Sequence, residues 1–160
     1  MHLWNELKMC NSHQKGNADN IIVPPTPNEL LETFEGLLDW ENRYAYVIDL
    51  GTELAKMEDS LKRDESKVFG CQSNVWIVPC WRSNNDNIKT FDFVADSDSQ
   101  IVKGLVAIVR TLYFGKTSQE IFNTNEEDFF EKLGLRKHLT HGRSNGLTQM
   151  VKKIKETVKN

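Results

Sequence analysis

The chain has 160 residues, 39% of them hydrophobic and 27% charged, with Lys+Arg 20 against Asp+Glu 23 and a formal net charge of −3. That is the length and balance of about one globular domain, able to bury a core without metal or disulfide staples. It offers no electrostatic pull toward nucleic acid or anionic membrane, and no stretch reaches the roughly 20 apolar residues of a bilayer span.

Residues 1–25 read as a flexible leader. They hold a polar cluster (Asn11, Ser12, Gln14, Lys15, Gly16, Asn17), end in Pro24-Pro25 and lack sustained periodicity. They have neither the apolar run of a secretory signal nor the Arg and Ser enrichment of a transit peptide, so a cytoplasmic setting is expected. The ordered domain is expected to span residues 26–160. At its start Thr26 can cap a helix, Pro27 suits the first helical position, and Glu29 completes a capping box. Leu30, Leu31, Phe34, Leu37 and Leu38 follow at helical spacing. A second helix is expected from about Asp39 through Tyr44, Val47, Ile48 and Leu54, its Gly51 permitting close packing.

From Lys67 the pattern becomes β-like. Val75–Val78 and Ile88–Ala95 form two short runs separated by Ser83-Asn84-Asn85-Asp86-Asn87, which reads as an antiparallel hairpin. Ser97 and Gln100 look like a capping box for the clearest helix, with Ile101, Leu105, Ile108, Val109 and Leu112 on its apolar face and Gly115 as its stop. Thr117–Glu120 and Thr124–Glu127 repeat the capping signature before two short helices, whose apolar faces fall to Phe122, Phe129, Phe130 and Leu133. A last helix carries Leu147, Met150, Val151, Ile154 and Val158. The fold class is therefore α+β: a small antiparallel sheet of two or three strands packed against several helices.

Three cysteines, Cys10, Cys71 and Cys80, are an odd number without C-x-x-C spacing, which favours free thiols in a reducing compartment. Cys71 sits where the helical part hands over to the first strand, beside Gly70, a place suited to an exposed and movable side chain. On residue type alone, a buried structural thiol is the commoner reading for it. Cys80 falls on the expected strand with Trp76 and Val78 and reads as a packed thiol. His138 and His141 lack the second close ligand pair of a zinc site, so no metal is expected. Triad, phosphate-loop and dinucleotide patterns are absent. Arg143, ahead of the last helix, reads as a surface charge or as a forked donor for a partner's carboxylate.

Several ordered segments together resemble the SufE-type sulfur acceptors, including the CsdE branch. They are Asp39-Trp40-Glu41-Asn42-Arg43-Tyr44, Gly70-Cys71-Gln72-Ser73-Asn74-Val75-Trp76, Asp96-Ser97-Asp98, Ile101–Ala107, Asp128–Leu135, and His138-Leu139-Thr140 through Arg143-Ser144-Asn145-Gly146-Leu147. The resemblance runs from about Asn28 to Glu156 and implies a SufE-like fold. It also implies that Cys71 accepts persulfide sulfur from a pyridoxal-phosphate cysteine desulfurase of the SufS/CsdA kind. The acceptor then stimulates that enzyme and relays sulfur to an iron–sulfur scaffold, and Arg143 helps dock the desulfurase. The pyridoxal phosphate belongs to the partner, and this chain needs no cofactor beyond a transient cysteine persulfide. It would be a sulfur carrier acting with an enzyme; the alternative is a non-catalytic adaptor that activates a desulfurase by contact alone. Where the family commonly reads Pro-Ser, this chain has His141-Gly142.

Overall fold

A computed structural model describes residues 21–159. The leader's first 20 residues, with Cys10 and Trp4, lie outside the described residues. Helix α1 (Pro27–Gly36) begins at the expected cap, with Pro27 in the first turn and Thr26 Oγ1 accepting from the Glu29 amide, which is the Thr26 half alone of the expected capping box. Helix α2 (Trp40–Thr52) is capped by Asp39, whose carboxylate accepts from the Asn42 amide. A single 3-10 turn follows at Asp59–Leu61.

Strands β1 (Val75–Ser83) and β2 (Lys89–Ser97) form an antiparallel hairpin in register from Val75 opposite Ser97 to Ser83 opposite Lys89. Each strand therefore runs longer than its β-branched run. In the turn, Asn84 Oδ1 accepts from the amides of Asp86 and Ile88, which closes the connection. The pleat separates two apolar clusters. Val75, Ile77, Phe91, Phe93 and Ala95 face the main core, while Val78, Cys80 and Val94 face Met57 and Leu61. The hairpin is buried on both sides because the segment after α2 folds back under it.

Helix α3 (Gln100–Tyr113) is the centre of the molecule, with every residue buried except Gln100 and Lys103. Its cap is Ser99, whose hydroxyl accepts from the Val102 amide. The expected cap, Ser97, instead donates its hydroxyl proton to Asn74 O and accepts from the Ser99 amide, because β2 continues to Ser97 and uses that residue as its end. Helix α4 (Ser118–Phe122) shows the expected reciprocal Thr117–Glu120 capping box. Helix α5 (Glu126–Leu133) is capped by Asn125 and not by Thr124, whose hydroxyl bonds back to Glu120 O. Phe122, expected to face the core, is 45% exposed, since the five-residue α4 buries only Ile121. A short α6 (Leu135–His138), not foreseen from the sequence, leads to the long α7 (His141–Lys159).

Two buried ionic clusters fix the elements around α3. Asp92 accepts from Arg110 Nε at 2.8 Å and from Arg82 Nη1 at 2.8 Å. Arg110 also donates to Ile22 O at 2.8 Å, fastening the stretch ahead of α1. Glu126 accepts from Tyr113 Oη at 2.6 Å and pairs with Lys155 Nζ at 2.5 Å, joining α3, α5 and α7. Burial together with the Glu126 carboxylate pushes the Tyr113 hydroxyl far above its ordinary value, so it stays a donor.

Helices α2 and α3 meet backbone to backbone. A Cβ on Gly104 would stand 2.2 Å from Val47 O, and one on Gly51 would stand 2.8 Å from the Gly104 nitrogen. Neither obstacle is the loose end of a side chain, so the helices would have to separate. Gly104→Ala is therefore expected to destabilise the fold by about 1–3 kcal/mol or more, the usual cost of overpacking. A urea midpoint equal to that of the unsubstituted chain would contradict this close crossing.

Candidate functional site

The chain enters β1 through a tight loop, residues 69–74. At its base the Val68 amide donates to Val75 O at 2.8 Å and the Ile77 amide donates to Ser66 O at 2.8 Å. Between these bonds Lys67 forms a single antiparallel bridge with Trp76, which extends the hairpin without adding a third full strand. Gly70, at φ +90°, makes the turn that a side chain would resist. The far limb is tied to the end of β2: Asn74 donates from its amide to Asp98 Oδ1 at 3.1 Å and from Nδ2 to Asp98 Oδ2 at 2.8 Å.

The loop rests on the N-terminal turns of α7. Cys71 is half-buried against the main core, and its Sγ lies 3.8 Å from Gly146 O. Asn145 Nδ2 donates to Gly70 O at 2.9 Å. The Gln72 carboxamide lies against Gly142 so closely that a Cβ there would fall 2.2 Å from Oε1. Arg143 stands between Gly142 and Asn145 on the same turns, with an exposed side chain and its amide donating to Thr140 Oγ1 at 3.4 Å. Ser144 is held from behind by Arg136, whose Nη1 donates to Ser144 Oγ at 2.8 Å and whose Nε and Nη2 grip Glu127. Thus the loop that carries Cys71 packs on the turns of α7 that carry Arg143, although the two residues are far apart in sequence.

Phe69, directly before Gly70, is 65% exposed. The Lys67 ammonium lies 5.9 Å from its ring centroid. Sequence reasoning did not single out Phe69, Gln72 or Asn145 as contact residues. Gln72 and Asn145 lie within the segments that carried the family resemblance, but what each touches is a contact across the fold.

Other expected candidates lie elsewhere. His138 stacks on Trp40, ring centroids 3.9 Å apart and planes 18° apart. Among the described residues no group of three or more His, Cys, Asp or Glu side chains gathers as a metal site. A cleft of about 620 Å³ lies beside this stack, lined by Trp40, Arg43, Glu131, Lys137 and His138 among others, and none of its lining residues belongs to the Cys71 loop. Cys80 is buried as expected, its Sγ 3.9 Å from Val78 O. Cys71 is the free cysteine among the described residues. No described helix is long and apolar enough to cross a membrane.

Burial pushes the Cys71 thiol above its ordinary value, because the apolar surroundings disfavour the thiolate. More of the resting side chain is therefore protonated at a given pH, which slows its oxidation and alkylation. Its rate of reaction with iodoacetamide should rise with pH through a midpoint higher than that of the same cysteine in the unfolded chain. A native midpoint at or below the unfolded one would mean that a neighbouring charge, and not burial, governs the thiol.

Residues 28–158 match the SufE family, described as an Fe-S metabolism associated domain. An uncharacterized SufE-like protein of Rhizobium etli is 42% identical over 132 residues, covering 82% of this chain and 88% of its relative. Among solved structures, the solution structure of a hypothetical protein from Thermus thermophilus aligns with a TM-score of 0.64 over 86% of this chain and 96% of the other, at 17% identity. At that identity the likeness speaks to the fold alone, the α+β arrangement described above. With nearly all of the described residues covered by the domain match, and close sequence similarity to a SufE-like protein, the chain belongs to the SufE family of Fe–S metabolism proteins.

Proposed function

We propose that Cys71 is a sulfur acceptor that takes sulfane sulfur from the persulfide of a pyridoxal-phosphate cysteine desulfurase and relays it to iron–sulfur cluster assembly. The observation that carries this reading is the placement of the free thiol of Cys71 on a loop pinned at its base and laid against α7 by few polar contacts. Such a loop can swing outward about its base without unpairing β1 from β2.

The chemistry is an exchange between like species. The Cys71 thiol loses its proton to solvent, and its Sγ attacks the terminal sulfur of the donor persulfide. A new S–S bond forms at Cys71 while the donor's S–S bond breaks. The electron pair of the broken bond stays on the donor cysteine, which leaves as a thiolate and takes up a proton. No net oxidation occurs, so the reaction needs position more than a constellation of acids and bases. Extension of the loop also removes Cys71 from its apolar rest, which lets its thiol approach the ordinary value of roughly 8.5 as it meets the donor.

The exposed face supplies the means of docking. Phe69 offers an aromatic ring for a partner to cover, and aromatic and arginine side chains dominate binding energy at interfaces. Arg143 offers a planar fork for a carboxylate on that partner.

With a desulfurase and sulfur-labelled cysteine, the unsubstituted chain should acquire label, and Cys71→Ser should acquire none. Equal labelling of the Ser variant would reject Cys71 as the acceptor; stimulation of the desulfurase surviving in that variant would favour the contact-only adaptor. Arg143→Ala should raise the desulfurase Kd by about 5- to 30-fold, the range of an interface arginine worth 1–2 kcal/mol, and leave the melting temperature unchanged. An unaltered Kd would remove Arg143 from the docking face.

A further inference from the structure

We propose that Asn145 is a positioning residue for the sulfur acceptor, acting as the latch that holds the Cys71 loop against α7; the inference rests on the reading of Cys71 given above. The contacts of the loop divide into two classes. The bonds from Val68 to Val75 O and from Ile77 to Ser66 O lie at its base and hold whether the tip is in or out. Asn74 and Asp98 tie the far limb to the end of β2, on the hairpin's own side. Against α7, by contrast, the described polar contacts of the loop are the Asn145 Nδ2–H donation to Gly70 O at 2.9 Å and the long approach of Cys71 Sγ to Gly146 O at 3.8 Å. The second is a weak sulfur contact. The first is the strong one, and it grips the carbonyl immediately before Cys71.

The site of the grip matters. Gly70 is the residue whose positive φ sets the direction of the loop, so a donor on its carbonyl holds the turn and the thiol together. Gly142 adds a second fit. With no side chain, it leaves a slot in the first turn of α7 that the Gln72 carboxamide fills. Latch and slot lie on either side of Cys71 along the loop. Both Asn145 and Gln72 are exposed, so a docking protein or solvent reaches them directly and can replace their contacts. The net worth of one such hydrogen bond corresponds to a factor of about 2 to 10 in an equilibrium, enough to keep the loop in and small enough for a partner to overcome.

The test is the rate of iodoacetamide alkylation of Cys71 in the folded chain, followed by mass at fixed pH. Asn145→Ala and Asn145→Leu both remove the donor, and Leu keeps the volume. Both should accelerate alkylation by about 2- to 10-fold, as expected for loss of one hydrogen bond, with melting temperature essentially unchanged. Gly142→Ala, which places a methyl where the Gln72 carboxamide lies, should accelerate it as well. Unchanged rates in the Asn145 variants would overturn the proposal, as would acceleration in Ala alone, which would assign the effect to packing. Alkylation involves no desulfurase, so failure here leaves the acceptor reading standing, and failure of sulfur labelling leaves the latch standing.

Discussion

The arrangement of the site depends on two backbone hydrogen bonds that close the base of the Cys71 loop, from Val68 to Val75 O and from Ile77 to Ser66 O. They close residues 69–74 into a loop at the start of a rigid hairpin. The hairpin is rigid because both of its faces are covered: the main core lies under one, and Met57 and Leu61 lie under the other. In the proposed cycle such a loop would carry Cys71 outward with little loss of order elsewhere. Without the base closure, extension of Cys71 would fray the start of β1, and the cost of reaching a partner would rise accordingly.

The same geometry resolves a chemical tension. A sulfur nucleophile works as a thiolate, yet burial holds the Cys71 thiol above its ordinary value in the retracted position. That is a disadvantage for reaction and an advantage for waiting, because the protonated thiol resists oxidation. In the proposed cycle, a loop movement would separate the two states and let one side chain serve both needs. The surrounding charges are engaged in structure: Arg136 bridges Glu127 and Ser144, while Arg82 and Arg110 share Asp92. Arg143 and Phe69 are exposed on the outer surface, where the proposed docking would use them.

Much of the fold was legible because its signals are local. Thr26, Asp39 and Thr117 cap helices, each accepting from the amide three positions on. The hairpin follows from two β-rich runs about an asparagine-rich turn. Errors arose where two local signals compete within a few residues. Ser97 and Ser99 both suit a cap, and the strand claimed the first; Thr124 and Asn125 both suit a cap, and the hydroxyl of Thr124 found Glu120 O instead. Leu135–His138 escaped notice because four residues are too few to show a helical period. At the site, Cys71 and Arg143 stood out by resemblance, while the contacts of Asn145 with Gly70 and of Gly142 with Gln72 join residues some 75 and 70 positions apart, about which short-range patterns are silent.

In the proposed function, the Cys71 sulfur becomes a persulfide when this protein meets a desulfurase. The most direct measurement is peptide-mapped mass spectrometry after incubation with a cysteine desulfurase and cysteine, with thiols blocked before digestion. The expected result is the mass of one additional sulfur on the peptide containing Cys71, removable by a reductant. No added sulfur on that peptide while the desulfurase itself carries a persulfide would contradict it.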